Sequence, residues 1–263
     1  RGSVVFSSAQ AAVRFRSCRC WNFPVIFIGI DDTDIIGTPG TNQLARAILK
    51  RLGETARNSI ICRHQLFFDP RVPYTSHNGS ASVQLPDAGA ADAQQLIHTI
   101  REVMRDWFVA GSDPGLCVAP GATEEMKAFS LRCKSEVVTQ EEAREIAARA
   151  GCHLEGLGGT EQGVIGALAA VSLVVGGEDG RVVHLHAWPY PDEALCGSRA
   201  IEELYARGIA EIRQLKSNNL ITTGPIDIGK HLRPNWRGGR LVLFVDAVDD
   251  LESVAPWRAV KLA

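Results

Sequence analysis

The stretch at residues 25–49, VIFIGIDDTDIIGTPGTNQLARAIL, decides how the rest of the chain is read. Its opening, Val25 to Ile30, is a short apolar run without helical spacing, the pattern of a buried strand. Asp31, Asp32 and Asp34 follow at once. Beyond the loop, Leu44, Ala45, Ile48, Leu49 and Leu52 recur at helical spacing and predict an amphipathic helix over residues 41–57. Strand, acidic turn, glycine-containing loop and helix is therefore the first unit.

Carboxylates this close repel one another, and the cost must be offset by hydrogen bonds, by a cation or by water. The turn could be simple cap and loop chemistry, for which Asp and Thr are suited. It could be a general acid–base pair, one carboxylate having its pKa raised by its neighbour. It could be a Mg²⁺ site, because that cation takes one or two carboxylates together with substrate phosphates. Ligand sites in α/β proteins lie beyond the carboxyl ends of strands, where these aspartates fall, and the metal reading leads. Gly37, Gly40 and Thr41 lie in the loop that enters the helix, GTPGT, which lacks the G-K-[ST] of a Walker A loop. The helix N-terminus nevertheless suits a phosphate. Thr41 either caps the helix or offers its hydroxyl to a phosphoryl group.

Further strands are predicted at residues 60–67 and 81–85 and in GLCVAP, with a helix over residues 91–108 between the last two. Thr139 precedes Glu142 by three residues, a capping box, and Gly151 ends that helix. A strand and the loop GLGGTEQG lead to an apolar helix, VIGALAA, whose small residues would pack tightly on a sheet. Glycines at 156, 158, 159 and 163 allow close backbone approach to a ligand, or a tight turn alone. A turn at residues 178–180 leads to RVVHLHAW, a helix over residues 198–207 stops at Gly208, and RLVLFVDAV is the last clear strand. The class is α/β or α+β with a mixed sheet.

At 263 residues the chain can bury a sizeable core, and 45% hydrophobic with 22% charged residues is ordinary for a globular protein. A net charge of -2 supplies no global basic field, which argues against tight tRNA or DNA binding. No apolar run approaches the roughly 20 residues of a membrane span. Seven scattered cysteines without a C-x-x-C pair indicate neither a zinc ribbon nor a disulfide framework, and a cytoplasmic setting is expected. Residues 1–24 carry four arginines, no acid and no initial Met, and read as a tag or leader outside the fold.

IGIDDTD…GT…LA followed by G…G…GVIGALAA resembles the isoleucine-tRNA agmatinylcytidine synthetases of archaea. The resemblance implies a catalytic domain at residues 25–66 and 121–263, with a ferredoxin-like small domain inserted at 67–120. It implies ATP and Mg²⁺ as cofactors, with Asp31, Asp32 and Asp34 serving both, and a functional Thr41. It also implies nucleotide contact by Gly37, Gly40, Gly158, Gly159, Thr160 and Gly163. VPYTSHNGSASVQL resembles the entry to the inserted domain, which makes Asn78 and Gly79 candidates for binding a small molecule such as agmatine. Family members continue into an OB-fold and a zinc ribbon that grip tRNA; neither is recognised here, and Glu161-Gln162 replaces a basic position. A stand-alone relative is expected.

Other candidates are weaker. His184 and His186 share a strand face, as a metal pair or as ordinary strand histidines. GKHLRPNWRGGR is the one basic stretch, able to bind phosphate or stack an RNA base on Trp236, or simply a solvated loop. Lys127, Arg132 and Lys134 could neutralise phosphates, and Asp113 with Glu124-Glu125 could read an amine or merely be polar surface. Three functions follow: an ATP- and Mg²⁺-dependent kinase or ligase for a small molecule, a non-catalytic nucleotide or agmatine sensor, and an RNA-modifying subunit working with a separate tRNA-binding chain.

Overall fold

The structure, a computed structural model, describes residues 25–72, 78–88, 93–186, 188, 195–248 and 255–262. The first six elements are β1 (Ile26–Asp31), α1 (Thr41–Leu52), β2 (Ile60–Gln65), β3 (Gly79–Leu85), α2 (Ala93–Asp106) and β4 (Gly115–Ala119). α1 stops earlier than its periodicity suggests because Gly53 takes φ 56°, after which one 3-10 turn, Gly53–Ala56, completes the connection. The four strands lie side by side as β4-β1-β3-β2, every neighbour antiparallel. That is the split βαβ of ferredoxin-like folds.

β3 and β4, from the segment read as an insertion at 67–120, are hydrogen-bonded to the two sides of β1. The ferredoxin-like pattern therefore runs from β1 to β4 and contains the aspartate strand. Among the described residues, the sheet runs without a break from 25–66 into 67–120.

The chain continues with α3 (Glu124–Arg132), α4 (Gln140–Ala150), β5 (His153–Gly156), α5 (Gly163–Gly176), β6 (Arg181–Leu185), β7 (Ser198–Arg199) and α6 (Ile201–Ala206). Then come β8 (Glu211–Gln214), β9 (Ile226–Asp227), β10 (Asn235–Arg237), β11 (Arg240–Ala247) and β12 (Trp257–Ala259). Among the described residues one twelve-stranded mixed sheet results, in the order β5-β4-β1-β3-β2-β6-β10-β11-β12-β9-β7, with β8 parallel to β11. The α+β class with a mixed sheet is as expected. The ends of α4 are where the sequence places them: Thr139 Oγ1 accepts from the Glu142 amide at 3.2 Å, the Glu142 carboxylate pairs with Arg132 instead of closing a capping box, and Gly151 is left-handed at φ 67°. α3 is an element that the sequence reading lacks; its cap is Thr123, and Met126 and Phe129 are its buried anchors. Among the described residues no helix is long and apolar enough to cross a membrane.

α1 and α2 cover one face of the sheet over Ile26, Ile28, Ile30, Val83 and Val118. α5 lies on the other face, with α3 and α4 packed outside it. Being enclosed on both sides, α5 is apolar around its circumference, as a buried helix should be. It approaches the sheet as closely as it does because two strand residues lack side chains. A Cβ on Gly29 would stand 1.9 Å from the Ala167 carbonyl oxygen, and one on Gly115 2.1 Å from the Gly163 carbonyl. The second cluster, beyond β6, is built on Leu204, Ile212, Ile226, Leu243 and Val245.

The basic stretch before β11 is not a plain loop. Its centre forms β10, Asn235 is buried, and the Trp236 indole donates to the Val174 carbonyl at 3.0 Å. Trp236 is thus half-buried against the core.

Candidate functional site

A pocket opens at the carboxyl end of β1, where four separate stretches meet. Asp31, Asp32, Asp34 and Thr41 come from the acidic turn and the start of α1. Leu66, Phe67, Asn78 and Gly79 come from the β2–β3 connection, and Cys133, Glu136, Val137 and Val138 from the link between α3 and α4. Gln162, Gly163, Ile165 and Gly166 come from the first turn of α5. Of the residues singled out in the sequence, Asp31, Asp32, Asp34, Thr41, Asn78, Gly79 and Gly163 are thereby brought together.

Asp31 is the last residue of β1, and its carboxyl group lies under the first turn of α5. A Cβ on Gly166 would stand 1.7 Å from Asp31 Oδ2, so the small residue there makes room for the acid. Burial, then the charges of Asp32 and Asp34, push the Asp31 pKa up to about 8. Asp32 takes φ 51°, which lets the chain leave the strand sharply, and its carbonyl accepts from the Asp113 amide at 3.1 Å. Burial, then Asp113 and Asp34, raise its pKa to about 6. The hydrogen bonds of the turn do not offset the crowding of these two carboxylates.

Asp34 is differently placed. Its Oδ1 accepts from the Thr41 amide at 3.2 Å and from the Thr41 hydroxyl at 3.0 Å. Thr33 donates in turn to the Thr41 hydroxyl at 3.1 Å. Gly40 occupies the N-cap position of α1 without a side chain, and Thr41 is the first helical residue, not the cap. The Asp34 carboxylate supplies the capping function from the preceding loop, where it also meets the positive end of the helix. Gly37, at φ 90°, lies in open space away from the pocket lining.

The second glycine loop is organised by a residue the sequence does not single out for that task. The Asp113 carboxylate accepts from the Thr160 amide at 2.6 Å and the Thr160 hydroxyl at 2.5 Å. Its backbone carbonyl accepts from the Gly163 amide at 3.0 Å. Gly159, at φ 59°, leaves no space for a side chain beside Asp113, and Gly158 abuts Phe108. Gly158, Gly159 and Thr160 therefore fold against Asp113 and Phe108 and do not line the pocket. The sequence offers Asp113 only as a reader of an amine and gives no sign that it braces this loop or that the α3–α4 link reaches the pocket, because both depend on distant contacts. Asn78 closes the β2–β3 connection by donating to the Phe67 carbonyl at 2.7 Å. Residues 73–77 of that connection, and residues 1–24, lie outside the described residues.

Among the described residues no three His, Cys, Asp or Glu side chains converge as a metal cage. The three aspartates diverge because Asp31 turns under α5 and Asp34 turns to α1. Two carboxylates raised by burial and by neighbouring aspartates still fit Mg²⁺ of the kind that draws its remaining ligands from water and phosphate. His184 is held neutral, its pKa pushed down to about 4 by burial, then by Arg46 and His186. Lys127 pairs with Glu124 at 2.7 Å, Arg132 with Glu136 at 3.0 Å, and Lys134 with Asp179 at 2.5 Å. These cations are spoken for within the fold.

No protein-family model matches the chain. Over 164 residues it is 28% identical to the isoleucine-tRNA 2-agmatinylcytidine synthetase TiaS of Acidilobus saccharovorans, covering 59% of this chain and 36% of that protein. The TiaS of Pyrococcus horikoshii is 28% identical over 154 residues, covering 56% and 35%. The chain thus spans about a third of the length of these curated relatives. Among solved structures, the complex of TiaS with its isoleucine tRNA and ATP aligns with a TM-score of 0.47 at 22% identity, over 69% of this chain and 43% of that one. The complex of TiaS with the same tRNA, AMPCPP and agmatine gives 0.45 and 21%, over 69% and 44%. The likeness carried by the aspartate turn and the glycine loop is borne out: this chain is similar to part of the isoleucine-tRNA 2-agmatinylcytidine synthetases.

Proposed function

We propose that the pocket at the end of β1 binds Mg²⁺–ATP and that the chain phosphorylates or ligates a small molecule, an amine such as agmatine being the class we favour. The observation that carries the reading is the pair of uncompensated carboxylates, Asp31 and Asp32, facing a pocket where the positive ends of α1 and α5 also lie. Asp31 and Asp32 would hold the cation, which would supply charge neutralisation to the phosphates. Asp34 would fix α1 and Thr41 beside them. Asn78 and Gly79 border the same pocket and would contact the small substrate.

Thr41 separates chemistry from bracing. Thr41→Ala is expected to cut ATP turnover about a hundredfold, the loss typical of a positioned catalytic group. It should cost about 1 kcal/mol of stability through the lost bond to Asp34. Thr41→Ser should retain both. Parallel turnover and melting measurements decide, and full turnover per folded Thr41→Ala molecule would return the hydroxyl to a bracing role. A nucleotide sensor is the second reading, favoured because Asp113 already occupies the second glycine loop; ATP turnover distinguishes the two.

The relatives are named for a tRNA modification, and tRNA remains a candidate partner for a longer assembly. For these 263 residues, with a net charge of -2, we propose that tRNA is held weakly. A gel shift at physiological salt is expected to show no sub-micromolar complex; one that forms and weakens steeply with salt would overturn this. Among the described residues Cys62, Cys117, Cys133, Cys152 and Cys196 are free thiols, and we place the protein in the reducing cytoplasm.

A further inference from the structure

Outside the aspartate pocket, on the α1 side of the sheet, arginines gather. Arg63 of β2 and Arg181 of β6 are direct cross-strand partners, so their Cβ atoms stand about 5 Å apart and like charges face one another. Arg181 is flanked on its other side by Asn235 of β10, and Arg233 lies two residues before that strand. Arg46 reaches the same place from α1, its Nη2 donating to the Val183 carbonyl of β6 at 2.8 Å. Arg233 donates to the neighbouring Leu232 carbonyl at 2.9 Å. The Arg181 Nε is buried without a hydrogen-bond partner. None of the ion pairs among the described residues includes Arg63, Arg181 or Arg233.

Such crowding opposes folding unless something offsets it. Burial, then Arg46 and Arg181, bring the Arg233 pKa down to about 10, and every charge acting on His231 is likewise positive: Arg233, Lys261, Arg46 and Lys230. Arg63 stands at the border with the pocket, its guanidinium 3.4 Å from where a Cβ of Gly79 would be. The carboxylate that acts on Arg63 is Asp34, across that border.

We infer that Arg46, Arg63, Arg181 and Arg233 form a second binding site, distinct from the aspartate pocket, for one or two closely spaced phosphate groups of a small ligand. Guanidinium forks match phosphate oxygens, and the unpartnered Arg181 Nε supplies a donor that an oxyanion would satisfy. The cross-strand spacing of Arg63 and Arg181 suits adjacent phosphates better than an extended backbone. This inference does not depend on the nucleotide reading and survives its failure.

The probe is inorganic pyrophosphate, titrated calorimetrically without divalent cation and at constant ionic strength. Saturable binding is expected in the full chain and in Asp32→Asn alike. In the Arg63→Gln/Arg181→Gln double variant it should weaken about tenfold or more, as expected for losing charged hydrogen bonds. Because that variant relieves repulsion, it should melt no lower than the parent, so lost binding cannot be blamed on unfolding. No saturable binding, equal binding in the double variant, or loss in Asp32→Asn would overturn the site. A short single-stranded RNA is the competitor: displacement by pyrophosphate supports the assignment, and tight RNA binding that pyrophosphate cannot displace overturns it.

Discussion

Gly29→Ala is expected to destabilise the protein by about 3 kcal/mol, the upper range for overpacking a core. The new methyl would stand 1.9 Å from the Ala167 carbonyl oxygen and 3.1 Å from Val171 Cγ2. The nearer obstacle is backbone in the middle of a buried helix and cannot swing aside. Relief requires α5 to lift from β1, and α5 also holds Gly163 and Gly166 at the pocket. Denaturant unfolding should show the loss, and any nucleotide binding should weaken with it. Gly121→Ala is the control, because nothing lies within 4 Å of its added Cβ. A Gly29→Ala protein as stable as the parent would mean that α5 does not pack on β1 as described.

The second large effect is a dependence of stability on pH that runs opposite to ordinary acid denaturation. The Asp31 carboxyl titrates at about 8 in the fold, against an ordinary value of 3.8. Between those values the unfolded chain has already released the proton that the folded protein keeps. Folding then binds protons, so this group's contribution to stability falls as pH rises through that window. Asp32, raised to about 6, adds to the same trend over the lower part of the window. Asp31→Asn removes the group, and without cation it should raise stability at pH 8 by at least about 1 kcal/mol, after discounting for partial solvent access. At pH 4 the variant and the parent should melt together. Equal melting temperatures at both pH values would show that Asp31 is not crowded.

What the sequence disclosed was local. The strand, acidic turn and helix of the first unit, and the Thr139 and Gly151 ends of α4, are written in adjacent residues and appear as read. Gly166 was legible as a packing residue, and it packs, but nothing nearby in sequence says that its neighbour is Asp31. The role of Asp113 is equally silent, since Thr160 lies 47 positions away. The pairing of β3 and β4 was hidden for the same reason: alternation of strand and helix cannot say that they take the two sides of β1. Arg63 and Arg181 were unremarkable as separate strand residues, and only sheet register sets them face to face.

We propose that the crowded carboxylates at the end of β1 take a cation carried with a nucleotide. Calorimetric titration of ATP with and without Mg²⁺, into the parent and into Asp32→Asn, tests it most directly. Binding is expected to require Mg²⁺ in the parent and to weaken at least about a hundredfold in Asp32→Asn, as befits a metal-site carboxylate. ATP binding that ignores both Mg²⁺ and the substitution, or no binding by the folded parent, would contradict it.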